Sequence, residues 1–421
     1  MSLRIVAEGS AETPHAETRQ GEVPFGFDEI FFSRTDGRGV IQAGNSVFRR
    51  VSGYEGSRLI GAPHRIVRHP VMPKAAFHLL WERLQAGRAT GVYVCNRALD
   101  GRAYWVFAAV VPIRDGYLSV RIKPSTTFFD RAKALYAELL AAEADGLAPA
   151  DGAARLRARL VADGYSGYKS FQAQALAAEV TARAGQTSGY APDVDQAVRA
   201  TEAADGIEAE LTAMSAIFRR ALLITTNLRI VASQIGTRGR ALGAIADNYA
   251  LLSNEMIRWI NQRMENASGR ACGIAGSVSE DLFLKSATAL LDEMSDNYAR
   301  DDEAGLGDPE AERLRLSEAA AQYRVRAEAY HERALRDVAD LEVHLAQMRH
   351  HVSALDAIRM QCRVEGAHTR ANDGALGQIV GQLDTFQDEL GEHLSQTMAH
   401  GRQIQGSGVE ARHVWPRADV P

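Results

Sequence analysis

Three short runs rich in β-branched and aromatic residues, 91–98, 104–112 and 117–123, are separated by Asp100-Gly101 and Asp115-Gly116. Asp-Gly favours a two-residue hairpin, because the turn that matches strand twist needs positive φ at its central positions. Three strands joined this way form an antiparallel meander. Two further strand candidates, 30–33 and 39–43, flank Thr35-Asp36-Gly37. The stretch between the two groups, 45–81, is cut into short helices by Gly53, Gly56, Gly61, Pro63 and Pro70. Residues 25–124 therefore predict an α+β domain: a five-stranded antiparallel sheet with a run of small helices after its second strand.

The segments "GNSVFRRVSGY", "LIGAPHRIVRHPVMPKAAF", "LWERLQAGR", "CNRALDGRAYWVFAAVVPI" and "GYLSVRIKP" occur in that order over about a quarter of the chain. They resemble the PAS domain of bacterial aerotaxis receptors. The resemblance implies a PAS sensor that holds FAD non-covalently, and it places Asn45, Arg68, His69 and Trp81 at positions that shape the flavin site. Val71 stands where that family usually carries an acidic residue, which removes a polar contact.

The residues allow alternatives at each position. Asn45 binds ligand or caps the helix that begins at Ser46. Arg68 offers a cation and donors to a phosphate or carbonyl. His69 borders the cofactor, satisfies local carbonyls, or is an axial ligand to haem. Trp81 and Trp105 stack on a ligand or fill the core. Asn96, on a strand that forms the cleft floor of this fold, is a ligand candidate. Cys95, its neighbour, points to the opposite face.

At 421 residues the chain is too long for one such domain. A net charge of −5 supplies no basic field for nucleic acid or membrane. Cys95, Cys272 and Cys362 lie far apart, without metal spacing, which fits a reduced, cytoplasmic protein. The longest apolar stretch, 221–235, is interrupted by Thr225, Thr226, Asn227, Arg229 and Gln234, so no membrane span is expected. Residues 1–24, rich in Glu, Thr, Gly and Pro, read as a flexible tail.

From 127 the pattern is helical. Residues 127–184 read as three relay helices, followed by a linker at 185–193. In 199–403, apolar residues recur at alternating three- and four-residue steps: Ile207, Leu211, Met214, Phe218 and Ala221, then Leu242, Ile245, Tyr249 and Leu252. Polar breaks at 236–240 and 371–374 imply two antiparallel hairpins, together an all-α four-helix bundle, before a flexible end at 404–421. The segments "RALGAI" and "GALGQI" match between the halves, which suggests a duplication.

The first turn, "TNLRIVASQIGTRGRALGAIADNYALL", is similar to the signalling tip of methyl-accepting chemotaxis proteins in a degenerate form. Val231 stands where that family has a glutamate, and Gln234 where it has an arginine. This resemblance implies that Asn227, Val231, Gln234, Gly236, Gly239 and Arg240 contact a chemotaxis coupling protein and histidine kinase. It also implies a homodimer or association with chemoreceptors.

No P-loop, GxSxG, zinc spacing, kinase or cyclase signature is present, so a non-enzymatic transducer is expected. The functional expectation is a PAS-containing chemotaxis- or aerotaxis-type transducer that senses redox state or oxygen through flavin. The alternatives are a scaffold or dimerisation protein with an empty pocket, and a haem-binding oxygen sensor.

Overall fold

The computed structural model describes residues 21–187, 194–235, 240–268, 273–298, 306–368 and 373–410. Residues 1–20 of the expected tail, linker residues 188–193, Cys272, residues 236–239 of the first expected hairpin turn, Gly236 and Gly239 included, and residues 371–372 of the second lie outside the described residues. The chain divides into two compact units. One comprises Met1–Ala153, Ala182–Tyr190 and Leu290–Ala319; the other comprises Ala154–Thr181, Ala191–Ala289 and Ala320–Pro421. The division cuts the expected relay segment: 127–153 groups with the sheet and 154–181 with the long helices.

The first unit is built on strands β1 (Phe31–Thr35), β2 (Ile41–Gly44), β3 (Thr90–Arg97), β4 (Ala103–Ile113) and β5 (Gly116–Ile122). They form one antiparallel sheet in the order β2-β1-β5-β4-β3. The β3–β4–β5 meander turns at the two Asp-Gly pairs. At the second, Gly116 has φ of +147°, and a Cβ there would collide with the Thr35 carbonyl oxygen on the neighbouring strand. Between β2 and β3 lie α1 (Ser46–Ser52), α2 (Gly56–Leu59), a single 3₁₀ turn at His64–Val67, and α3 (Lys74–Gln85).

Side chains alternate across the sheet. Phe31, Tyr104 and Val106 face the small helices and join Phe48, Val51, Leu59 and Val67 in one core. The opposite face is covered by α4 (Thr127–Ala144), whose Phe129 meets Tyr93 and Trp105 at 5.5 and 5.3 Å. The Tyr136 hydroxyl donates to the Tyr93 carbonyl at 3.1 Å. Helix α3 starts after Pro73, which supplies no side-chain cap. The Glu143 carboxylate of α4 takes that role, accepting from the Lys74 and Ala75 N–H groups at 2.9 and 2.8 Å.

The second unit is all helix. Its long elements are α7 (Asp195–Ile235), α8 (Arg240–Ser268), α10 (Pro309–His368) and α11 (Asp373–Glu410). Parts of α5 (Pro149–Ala162), α6 (Tyr168–Ala184) and α9 (Ile274–Tyr298) also belong to it. The expected seams supply a continuous core from α7, α8, α10 and α11. Phe218, Leu345 and Phe386 are buried in that core, and Leu252 packs against it partly buried. Phe218 meets Phe386 edge-on at 5.9 Å, and Gly206 lies against His400, so α7 and α11 run antiparallel. Within each hairpin, Arg229 pairs with Asp247 at 2.6 Å and Gln405 donates to Glu342 at 2.8 Å. The ends of α7 and α10 that lead into the two turns therefore fall at one end of the bundle.

One boundary moves. Helix α11 continues to Glu410 with Ile404 buried, so 404–410 extends the bundle instead of starting a tail.

Replacing Phe386 by Ala removes a ring that both Phe218 and Tyr249 touch. It should destabilise the helical unit by about 3–5 kcal/mol, seen as a lower unfolding midpoint for helix signal. Arg240→Glu, on an exposed position, should stay within about 0.5 kcal/mol of the parent. A larger loss from Arg240→Glu than from Phe386→Ala would contradict this packing.

Candidate functional site

The sheet unit encloses a cavity of about 440 Å³ between the inward face of β1, β3, β4 and β5 and the helices that follow β2. That is the size of a small-molecule site. Its floor is apolar, from Val92, Val94, Ala108 and Val110. Trp81 and Tyr117 form an aromatic corner, with ring centroids 5.5 Å apart. Gly39, at φ +79°, leaves room for the Trp81 ring: a Cβ there would lie 3.4 Å from it.

The remaining wall is cationic. Arg38, Arg65, Arg68 and Arg121 line the cavity, and no lining residue is acidic. Arg38 and Arg65 are exposed at the rim. The Arg68 guanidinium lies over the Phe77 ring, 3.9 Å from its centroid. Arg121 is buried, at 5% exposure. Its Nη2 donates to Ser33 Oγ at 2.8 Å and stands 2.8 Å from His64 Nε2. The Phe48 ring lies 5.6 Å from the guanidinium carbon and stacks on His64 at 5.8 Å. Arg121 Nη1 and Ser119 Oγ are buried without a hydrogen-bond partner among the described residues.

Burial pulls the Arg121 pKa down to about 10, which leaves it charged at neutral pH. Burial, with Arg121 beside it, pushes His64 down to about 3. His64 is therefore neutral, its Nε2 lone pair facing the arginine and its proton on Nδ1.

Three of the six candidates read from the sequence line this cavity: Arg68, Trp81 and Asn96. Asn45 does not. Its Oδ1 accepts from Phe32 N and Phe48 N at 2.9 and 3.2 Å, and its Nδ2 donates to the Ile30 carbonyl at 2.7 Å. The amide is consumed in capping α1 and fastening it to β1, the structural alternative for this residue. His69 also lies off the wall; its Nδ1 accepts from Val71 N at 3.2 Å. That placement lends no support to the axial-ligand reading for His69. Trp105 packs against Phe129 on the opposite face of the sheet. Cys95 is on that face too, its thiol pushed up to about 12 by burial.

The sequence reading missed Ser33, His64, Ser119 and Arg121. A signal was present in "GYLSVRI", where polar Tyr117, Ser119 and Arg121 alternate with apolar Leu118, Val120 and Ile122. In a sheet covered on both faces, such a polar face belongs to a cavity.

In the helical unit, Asn227, Gln234 and Arg240 are exposed, whereas Val231 is buried in the bundle core at 6% and offers no surface to a partner. The register explains this, because Val231 follows Leu228 on the seam of α7.

No family model matches the chain. Over 130 residues it is 38% identical to the Aerotaxis receptor of Escherichia coli (strain K12). That stretch covers 30% of this chain and 26% of the receptor, so the chain matches about a quarter of that relative's length. With the strand order above, the assignment of the sheet unit follows. It is a PAS domain. Solved structures resemble about a quarter of the chain. The light state of the blue-light photoreceptor Aureochrome1 LOV matches at 23% identity over 24% of this chain and 86% of that one, with a TM-score of 0.23. A Light-Oxygen-Voltage domain from work on a flavin analogue matches at 26% over 26% and 84%, with a TM-score of 0.22. Among the described residues no helix is long and apolar enough to cross a membrane.

The depressed His64 pKa has a definite sign. Between about pH 6.5 and pH 3 the unfolded chain binds a proton at His64 that the folded PAS domain does not. Acidification through that window should therefore destabilise the domain, by up to roughly 1.4 kcal/mol per pH unit from this residue. His64→Gln should remove that share of the acid limb. Denaturation of both proteins across the window tests this; parallel pH profiles would refute it.

Proposed function

We propose that this chain is a signal transducer whose PAS domain holds a flavin, FAD, and whose helical unit passes the flavin's state to a chemotaxis kinase complex. The observation that carries the flavin reading is the buried Arg121, with Nη1 and Ser119 Oγ unsatisfied among the described residues, in a cavity lined by four arginines, two aromatics that meet edge to face and no acid. Buried polar atoms without partners are costly and call for an electron-rich ligand. Arg121, Ser119 and Asn96 suit the carbonyl and nitrogen edge of a flavin ring, Trp81 and Tyr117 suit its apolar part, and Arg38, Arg65 and Arg68 suit phosphates at the rim.

A bound flavin would supply reversible redox chemistry. Arg121 would favour whichever ligand state holds more negative charge at that edge. Ser33 and neutral His64 would hold the guanidinium in place while the ligand changes. A differential contact of this kind is what a population shift requires. Haem fits less well: His69 lies off the wall, and the cavity's His64 turns its Nε2 to Arg121.

The name of the relative, an aerotaxis receptor, supports the chemotaxis part of the reading. The exposed Asn227, Gln234 and Arg240 near the hairpin end, beside the exposed Leu223 and Ile230, supply a surface for a coupling protein and histidine kinase.

Purified full-length protein should release FAD on denaturation, identified by absorbance and mass. Arg121→Gln should weaken FAD binding about tenfold or more, and Arg68→Gln should weaken it less, because Arg68 is only half-buried. Protein that stays colourless and gains no flavin when refolded with FAD would end the flavin reading. A Soret band would replace it with haem. Arg240→Glu binding a purified coupling protein and kinase as tightly as the parent would remove the tip from the output.

A further inference from the structure

We propose that the PAS domain carries a built-in latch, formed by Leu306 and the ends of α9 and α10, and that occupancy of the cavity sets how tightly it is held. Leu306 forms a two-hydrogen-bond bridge with Gly44 on the edge strand β2. Its N–H donates to the Gly44 carbonyl at 2.7 Å, and the Gly44 N–H donates to the Leu306 carbonyl at 2.9 Å. The Tyr298 hydroxyl donates to the same Gly44 carbonyl at 3.1 Å. The Leu306 side chain is buried at 7% exposure within the PAS core, beside Phe48 and Leu59.

The seat is made by two glycines. A Cβ on Gly56 would lie 2.5 Å from Leu306 Cδ2, and one on Gly44 would lie 2.9 Å from Phe48 Cδ1. On the outer face of β1, Phe32 meets the Tyr298 ring at 5.3 Å, and Arg34 makes a two-pronged pair with Glu312, whose carboxylate is 2% exposed.

Two routes join this latch to the cavity. Phe48 stacks on His64 and approaches Arg121 on its cavity side, while Gly44 and Leu306 share the core with it. Strand β1 presents Ser33 and Thr35 to the cavity and Arg34, between them, to Glu312. An electron-rich ligand gives Arg121 Nη1 its missing partner and fixes the guanidinium. That fixes His64 and Phe48, and so the wall against which Leu306 packs. An isolated bridge on an edge strand, with no ladder beyond it among the described residues, is weak enough to respond to such a change.

Hydrogen exchange at the Leu306 amide of the full chain tests the proposal. Saturating FAD should slow that exchange at least about fivefold relative to FAD-stripped protein. Gly56→Ala, which touches Leu306 and no cavity residue, should speed it and, by reciprocity, weaken FAD binding by a similar factor. Only the FAD arms rest on the flavin reading. Arg121→Gln without ligand should speed Leu306 exchange whatever the ligand is. Phe48→Leu gives the same readout should Arg121→Gln not fold. If FAD does not bind, the flavin reading falls, and the cavity variants still decide the latch. Unchanged exchange on binding FAD, or unchanged exchange in the cavity variant, overturns it.

Discussion

A guanidinium buried without a carboxylate is the constraint on which the PAS domain depends. Charges taken from water are normally paired, because desolvation otherwise costs several kcal/mol per ion. Arg121 has only partial compensation: a hydroxyl, an imidazole lone pair and the face of an aromatic ring. Each partner fixes something else. The imidazole must stay neutral to accept. Phe48 must lie flat against it. Ser33 must point inward, which sets the register of β1. An acidic neighbour on the wall would satisfy the arginine and close the site to electron-rich ligands. The absence of one among the lining residues keeps that valence for what enters the cavity.

Sheet alternation gives this arrangement an outside. Neighbouring residues of a strand face opposite ways, so β1 offers Ser33 and Thr35 to the cavity and Phe32 and Arg34 to Tyr298 and Glu312. Glu312 is held by Arg34 and also accepts from Arg315 at 2.8 Å, which divides one buried carboxylate between two cations. Such a group is expensive to unpair, and the pair fixes the start of α10 against the strand. At β2 the contact is different in kind. Gly44 has no side chain to shield its backbone, and Leu306 supplies both the hydrogen-bonding strand partner and the apolar cover that an edge strand otherwise lacks.

The helical unit follows a simpler logic. Its seams are apolar along four helices, so burial dictates antiparallel packing, and partner choice is a matter of register. Surface pairs such as Arg229–Asp247 contribute little to stability at their exposure but agree with that register. The same seam explains Val231. A helix cannot turn one residue outward while Leu228 and Ala232 stay in the core, so a position matched by motif alone is claimed by packing first.

What could be read from the chain divides along the same line between local and distant causes. The Asp-Gly turns and the three- and four-residue apolar steps act within a few residues, and each predicted its element. Asn45 shows where local reading becomes ambiguous. An asparagine before a helix caps it or meets a ligand, and only the saturation of its amide by Ile30, Phe32 and Phe48 decides. His64 and His69 differ by five residues in "PHRIVRH", and the 3₁₀ turn determines which ring faces inward; sequence spacing does not distinguish them. Leu306 and Glu312 had no local sign at all. They sit in a stretch that reads as a helix start, and their partners Gly44 and Arg34 lie more than two hundred residues earlier. Contacts of that sequence separation leave no periodicity behind. They are fixed by complementary shape, here two glycines against one leucine, and by a buried charge that must find its opposite.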